Sequence, residues 1–471
     1  MITTRKKVLI TSLIIFVFAF LTYMFYSLNV LPKMRITGDE PHYLMITHSL
    51  IYDHDLDLRN NYENEDWRQI GREGLDPHAI KMPDGRWLSV HDIGLAIEMI
   101  PGYFLGRRVG AVVTTNLMMA LFGSLIFILC YRLTANLFSS LVTWCVVGFS
   151  VPVFFYSMQI FPEPSAALLL LLALILILKF EEGAHWRVLL FLSFILSWLP
   201  WLHRKYYIFS FFAGVGLFIY LIVNRDKRKI SNLISFSLPL IVSAVVLFAY
   251  QKLEYGNFFP VEADSIQAIF SGVTPLGIIG IFIDQQFGLL VYSPIYILIF
   301  FGYAILFRKN RKLFWFSIYA LIFLVLPVAL SLSASRQFGG WSPPARYLLP
   351  AIPFFAISLA YSLTYIRSVI YKIIFCVLGA LSIAVTIFLI NPSDPMKYLY
   401  PGKSGINLYL LDATKYIKIN LTNDLPTYWS DKVPVLPNSA YLALGIAFLT
   451  LILWFFFVFR AYQDKPVGEE K

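Results

Sequence analysis

The chain has 471 residues, 58% hydrophobic, 17% aromatic and only 14% charged, with 38 Lys and Arg against 28 Asp and Glu for a formal charge of +10. A soluble globule carries about a quarter charged residues, so this composition, with a mean hydropathy of +0.69, excludes a water-soluble enzyme and indicates an integral membrane protein. The basic excess requires no nucleic-acid partner, because it is scattered in short clusters between apolar runs rather than gathered on one basic face.

The first apolar run, Val8 to Leu28, follows Arg5-Lys6-Lys7. It exceeds the core of a secretory signal, about 7 to 15 residues, and Leu28 to Met34 holds no small-x-small cleavage pattern, so it reads as an uncleaved anchor. A polar loop, residues 29–108, comes next and is too long for a mere connection. It opens with Gly38-Asp39-Glu40-Pro41-His42-Tyr43 and passes through an acidic stretch from Asp53 to Asp57. That stretch lacks the Gly and distal Glu of an EF-hand, so it reads as a solvated loop. The loop closes with His91-Asp92-Ile93-Gly94-Leu95 and Ile100-Pro101-Gly102-Tyr103-Phe104, which read as short amphipathic helices on the membrane surface.

Further apolar runs cover Val109 to Tyr131, Leu141 to Tyr156, Pro164 to Phe180, Val188 to Trp201, Ile208 to Val223 and Leu233 to Tyr250. A second polar loop, Gln251 to Gln286, ends in an apolar stretch that reads as re-entrant. Then come Phe287 to Phe307, Leu313 to Leu332, Tyr347 to Ile366 and Ile373 to Ile390. A polar segment, residues 391–439, reads as a small extracytoplasmic cap, and residues 440–471 supply a last helix from Ala440 to Phe459 and a cytoplasmic tail. At about 20 residues per span, the chain is expected to be an all-α polytopic membrane protein of about 12 transmembrane helices. Several of these carry proline, at Pro152, Pro200, Pro327 and Pro353, which a buried span tolerates.

Short basic loops stay cytoplasmic. Arg5 to Lys7, Lys179 with Arg187, Arg225 to Lys229, Arg308 to Lys312, Arg367 with Lys372, and Arg460 all fall on one side if the N-terminus is inside. Both termini then read as cytoplasmic, and the first loop as extracytoplasmic. The three cysteines, Cys130, Cys145 and Cys376, lie in apolar runs and show no disulfide or metal spacing. Asn420-Leu421-Thr422 fits a glycosylation tripeptide too common by chance to carry weight.

Charged groups beside hydrocarbon are functional candidates by default. Asp39 and Glu40 stand at the end of the first span, and Arg204 and Lys205 stand at the end of another on the side opposite to the basic bias. Glu163 lies between two prolines in a short outer turn, and Arg336 and Arg346 flank Gly339-Gly340-Trp341-Ser342-Pro343-Pro344. Each has a plainer reading. Asp39 suits a helix N-cap, Arg204 and Lys205 suit snorkelling at the interface, His203 suits packing or hydrogen bonding, and Arg336, Arg346 and Trp341 suit interfacial anchoring.

An anchor, a long loop opening on an Asp-Glu pair, surface helices and many further spans together resemble the integral-membrane glycosyltransferases of the GT-C type. The branch is that of the protein O-mannosyltransferases and lipid A aminoarabinose transferases. The motifs carrying the resemblance are Gly38 to Tyr43, His91 to Leu95, Phe161 to Pro164 and Gly339 to Tyr347. Residues 1–390 would form the catalytic region, with 29–108 as its extracytoplasmic loop. The resemblance implies inverting transfer of a hexosyl or pentosyl group from a polyprenyl-phosphate carrier to a lipid, glycan or protein acceptor in the cell envelope.

It further implies Asp39 as general base, with Glu40 orienting the site or serving as a second acid. Arg204, Lys205, Arg346 and Arg336 would hold the donor phosphate, since negative charge builds there as the glycosidic bond breaks. His42, Tyr43, His91, Glu163 and Trp341 would contact substrate, although Asp92-Ile93 follows His91 where the family often has paired prolines. No cofactor is assigned, and a divalent metal at Glu163 stays open against a positioning role. One Glu makes a poor site for a hard cation. A transporter or lipid flippase is the alternative that the span count allows. Its usual paired halves with matching broken helices sit badly with so large and asymmetric a first loop.

Overall fold

The computed structural model describes residues 2–33, 36, 38–183, 186–223, 228–258, 276–335, 342–390, 407–417, 422 and 425. Eight helices among them are long and apolar enough to cross a membrane: Lys6–Val30, Gly94–Thr134, Pro162–Glu181, Arg204–Val223, Lys229–Tyr255, Arg311–Ser331, Arg346–Tyr365 and Val369–Leu389. The protein is therefore a polytopic helical membrane protein. Three other expected spans take different forms. The run from Leu141 is a 12-residue helix, Leu137–Gly148, about 18 Å long at 1.5 Å per residue and so short of the hydrocarbon core of about 30 Å. Val188 to Trp201 falls in a 17-residue helix, Trp186–Leu202. Phe287 to Phe307 is broken at Ser293, where Pro294 has no N–H to continue the ladder, into Leu289–Tyr292, a 3₁₀ turn Pro294–Leu298 and Ile299–Lys309. The expected last helix, Ala440 to Phe459, lies outside the described residues, as does most of the 391–439 cap.

The chain divides into two compact units. The first comprises Met1–Leu125, Phe155–Thr274 and Ile322–Ser335; the second comprises Ile126–Phe154, Pro275–Leu321 and Arg336–Lys471.

In the first unit, α1 (Ile2–Val30) buries Ser12, Ile15, Ala19, Tyr23, Ser27 and Val30, one stripe at helical spacing, and leaves Leu13, Phe18 and Phe25 exposed as a lipid-facing side. Small and polar residues make the interhelical contact, as membrane packing favours. Asn116 Nδ2 donates to Ser27 Oγ at 3.0 Å and to the Ser157 carbonyl at 2.6 Å, and Ser124 Oγ donates to the Ser12 carbonyl. The first loop folds as α2 (Glu40–Tyr52), α3 (Arg59–Glu63), a 3₁₀ turn Asp66–Ile70 and an antiparallel hairpin of β1 (Ala79–Lys81) and β2 (Trp87–Ser89) in the register Ala79 to Ser89. The hairpin departs from the all-α expectation. Its turn signal, Pro83-Asp84-Gly85, was present in the sequence, with Gly85 at φ 92°.

The helix α4 (Gly94–Thr134) contains the expected surface segment. It is interrupted at Gly106 (φ −154°) and Arg107 (φ 51°, ψ −134°), so residues 94–105 and 108–134 are two helices. The chain doubles back there so tightly that a Cβ on Gly102 would lie 2.3 Å from the Gly110 carbonyl oxygen. After α5 (Leu137–Gly148) and the short α6 (Val153–Tyr156), which belong largely to the second unit, α7 (Pro162–Glu181), α8 (Trp186–Leu202), α9 (Tyr207–Val223) and α10 (Lys229–Tyr255) complete most of the first unit. Within it α8 packs on α7, α9 and α10.

In the second unit 89% of an 18-residue stretch of the Arg346–Tyr365 span is buried, and the span is packed on by Leu137–Gly148 and Ile299–Lys309. Gly302 permits the second contact, since a Cβ there would lie 1.9 Å from the Ser358 carbonyl.

Candidate active site

The polar end of the first unit is assembled from four sequence-distant motifs. Pro41 stands in the first turn of α2, as proline's fixed φ favours, and Asp39 occupies the N-cap position. The Asp39 carbonyl accepts the amides of His42 and Tyr43, yet its carboxylate makes no capping hydrogen bond, so its placement is not explained by capping. Asp39 is half-buried, whereas Glu40 is 1% exposed and accepts from Arg108 Nε at 2.9 Å. Glu40 thus ties α2 to the start of the span after the Gly106–Arg107 reversal. Arg107, in a backbone region that non-glycine residues rarely adopt, is held by the Tyr52 ring at 4.4 Å and by His48 Nδ1 at 3.3 Å.

In the first turn of α2, His42 is 3% exposed and stacks on His78 with ring centroids 3.9 Å apart. His91 stands 5.5 Å from His42 and 5.0 Å from Tyr43, and Tyr62 Oη meets His42 Nδ1 at 3.2 Å. Burial, and then the neighbouring His78 and His91, push the His42 imidazole down to about 2, so it is neutral at any physiological pH. Burial likewise pushes the Tyr62 phenol up to about 12.

From His91 the contacts run on into α8 and α9. Asp92 Oδ2 accepts from the Arg204 amide at 2.8 Å, and Arg204 donates from its guanidinium to the Val90 carbonyl at 2.5 Å. Desolvation raises the Asp92 carboxyl to about 6, with Arg204 and Lys205 opposing the rise. The approach depends on Gly94, where a Cβ would lie 2.5 Å from the Trp201 carbonyl. His203 resolves toward hydrogen bonding, its Nδ1 accepting the Lys205 amide at 3.2 Å. Lys205 Nζ donates to Glu163 Oε1 in a pair whose carboxylate is fully buried.

That pair bears on the metal question, because an ammonium on Glu163 repels a divalent cation. Among the described residues no group of three or more His, Cys, Asp or Glu is disposed to hold a metal ion. The carboxylates of Asp53, Asp55 and Asp57 accept from loop donors, including Asn61 Nδ2, Ser49 Oγ and the Arg59 and Trp87 amides.

Glu98, Arg108 and His78 join the site without having been singled out in the sequence, and Asp92, marked there only as a departure from the family's paired prolines, joins it too. Glu98 Oε1 accepts from Ser165 Oγ at 2.8 Å and Trp198 Nε1 at 2.7 Å, clamping the surface helix to the adjoining ends of α7 and α8. An acid inside the otherwise apolar Gly94 to Tyr103 stretch was the signal available for it.

Below this polar end lies an apolar cavity of about 630 Å³ between α8, α9 and α10, lined by Leu196, Pro200, Tyr207, Phe211, Leu240 and Leu247 among others. Tyr207 follows Lys205 by two residues, and Gln251 Nε2 donates to its hydroxyl. Arg346 belongs to the second unit, where it is 6% exposed and begins the 3₁₀ turn Arg346–Ala351. Arg336 and Trp341 lie outside the described residues.

No family model and no curated protein matches the chain. Among solved structures it is similar to ArnT from Cupriavidus metallidurans bound to undecaprenyl phosphate, with 15% identity over 94% of this chain and 70% of that one at a TM-score of 0.47. It is also similar to the apo state of the same protein, with 15% identity over 95% and 73% of the two chains at a TM-score of 0.41.

Proposed function

We propose that this chain is an integral-membrane glycosyltransferase that moves a sugar from a polyprenyl-phosphate carrier to a cell-envelope acceptor on the extracytoplasmic face, with residues 1–390 as its catalytic region. The observation that carries the reading is the convergence, within one unit, of the Asp39, His91, Glu163 and Arg204-Lys205 motifs through consecutive contacts. An apolar cavity large enough for part of a lipid chain adjoins them.

In this reading Asp39 takes the proton of an acceptor hydroxyl as its oxygen attacks the anomeric carbon. The carbon–oxygen bond to phosphate breaks, and the lipid phosphate leaves with the bonding pair. Arg204 and Lys205 offset the charge that develops on it. His42, kept neutral by burial, shapes the pocket with Tyr43 and His91, and Glu40, paired with Arg108, orients Asp39 rather than acting as a second acid. Arg346 and Arg336 are assigned to the donor phosphate and Trp341 to substrate from their place in the sequence and the family resemblance.

The test is transfer by the purified protein in proteoliposomes, offered either a sugar on a polyprenyl phosphate or the matching nucleotide sugar, with no ion gradient. The lipid-linked sugar should be used and the nucleotide sugar refused, and Asp39→Asn should lower turnover by about 10²- to 10⁴-fold, the range of a lost general base. Use of the nucleotide sugar alone would overturn the donor, and undiminished turnover by Asp39→Asn would remove the base.

A further inference from the structure

The lysine expected to meet the lipid phosphate already holds an anionic partner inside the protein. Lys205 Nζ donates to Glu163 Oε1, with the Glu163 side chain fully buried and that of Lys205 12% exposed. Glu163 is fixed in place. It lies in the first turn of α7 between Pro162 and Pro164, whose rings hold the backbone. Lys205 differs in kind, being a flexible four-carbon stem on the single 3₁₀ turn Arg204–Tyr206 that joins α8 to α9. A buried charge left without its partner is strongly unfavourable. Once the ammonium turns to another anion, the fully buried Glu163 carboxylate is left in that state, and its cost draws Lys205 back.

The reaction gives that exchange a direction. The sugar donor is a phosphodiester with one negative charge, and the released lipid phosphate is a monoester carrying about 1.5 to 2 near neutral pH. A site of cations alone would grip product more tightly than substrate and release it slowly. We propose that Glu163 competes with the lipid phosphate for Lys205, yielding the ammonium when donor enters and reclaiming it as product leaves, so that Glu163 governs product release. The inference rests on the lipid-phosphate reading given above.

Equilibrium binding of a long-chain polyprenyl phosphate to the protein in nanodiscs tests it, using wild type, Glu163→Gln, Lys205→Met and the double variant. Glu163→Gln should bind this product about tenfold more tightly and Lys205→Met about tenfold more weakly, the scale of one charge-assisted hydrogen bond. In turnover, Glu163→Gln should lower both KM and kcat, a split that a merely structural lesion does not produce. The double variant should match Lys205→Met, because the two residues act through one contact. Glu163→Asp, which keeps the charge one methylene further back, should shift binding in the same direction by less, and decides the matter if the Gln variant does not fold.

Binding by folded Glu163→Gln that equals or falls below wild type overturns the competition. So does tightening that persists in the Lys205→Met background. Both results leave the donor assignment standing, whereas failure of wild type to bind the lipid phosphate at all overturns the donor assignment and this inference together.

Discussion

His42 shows how a single residue in this site is governed by its surroundings. Stacked on His78 and sealed from water, it refuses a proton that the same side chain accepts when unfolded. Its folded value of about 2 lies below the ordinary 6.5. As pH falls below 6.5 the unfolded chain therefore gains a proton that the native protein does not, and stability declines with acidification. Asp92 has the opposite sign, since its folded value of about 6 exceeds the ordinary 3.8 and it favours the native state at low pH. The difference between wild type and His42→Phe isolates the first effect, Asp92 being common to both. Thermal unfolding at about pH 7.5 and about pH 5.5 should show a larger loss on acidification for wild type than for His42→Phe. Equal losses would mean that His42 accepts a proton in the folded protein.

At the scale of elements, the junction between the surface helix and α8 does most to align the site. Gly94 admits the Trp201 backbone, Glu98 one turn later takes Trp198 and Ser165, and Asp92 just before the helix receives the Arg204 amide. A side chain at residue 94 has to displace α8, and overpacking of this kind costs roughly 1–3 kcal/mol. Gly94→Val should therefore lower the melting temperature and abolish sugar transfer. Gly74→Ala is the control, because that position is exposed, nothing lies within 4 Å of a Cβ there and its φ is outside the left-handed region. Comparable activity of the two variants would show that the junction does not position Arg204 and Lys205.

For the whole molecule, the open claim is sidedness, which the charge rule assigns with both termini and the basic loops inside. On a background lacking Cys130, Cys145 and Cys376, a cysteine at the exposed Glu73 should react with an impermeant thiol reagent in intact cells. One at the exposed Lys309 should react only after lysis. The reverse pattern would place the Asp39 end of the first unit in the cytoplasm, where nucleotide sugars are available and a lipid-linked donor is not required.

By itself the sequence determined the solvent of this protein. Apolar runs of sufficient length leave the chain no stable arrangement in water, and eight of the spans marked by hydropathy alone appear as membrane-length helices. It also marked charged residues at span ends, because a charge beside hydrocarbon stands out against so uniform a background. Hydropathy could not show that the run from Phe287 is broken at Ser293 or that Leu137–Gly148 is short, since side-chain transfer terms ignore where the backbone turns. Nor could it pair charges across the chain. Glu40 with Arg108, Glu163 with Lys205 and Asp92 with the Arg204 amide lie 42 to 112 residues apart. Whether an acid near the membrane acts as base, counter-ion or anchor depends on which cation stands beside it, and only the tertiary structure supplies that neighbour.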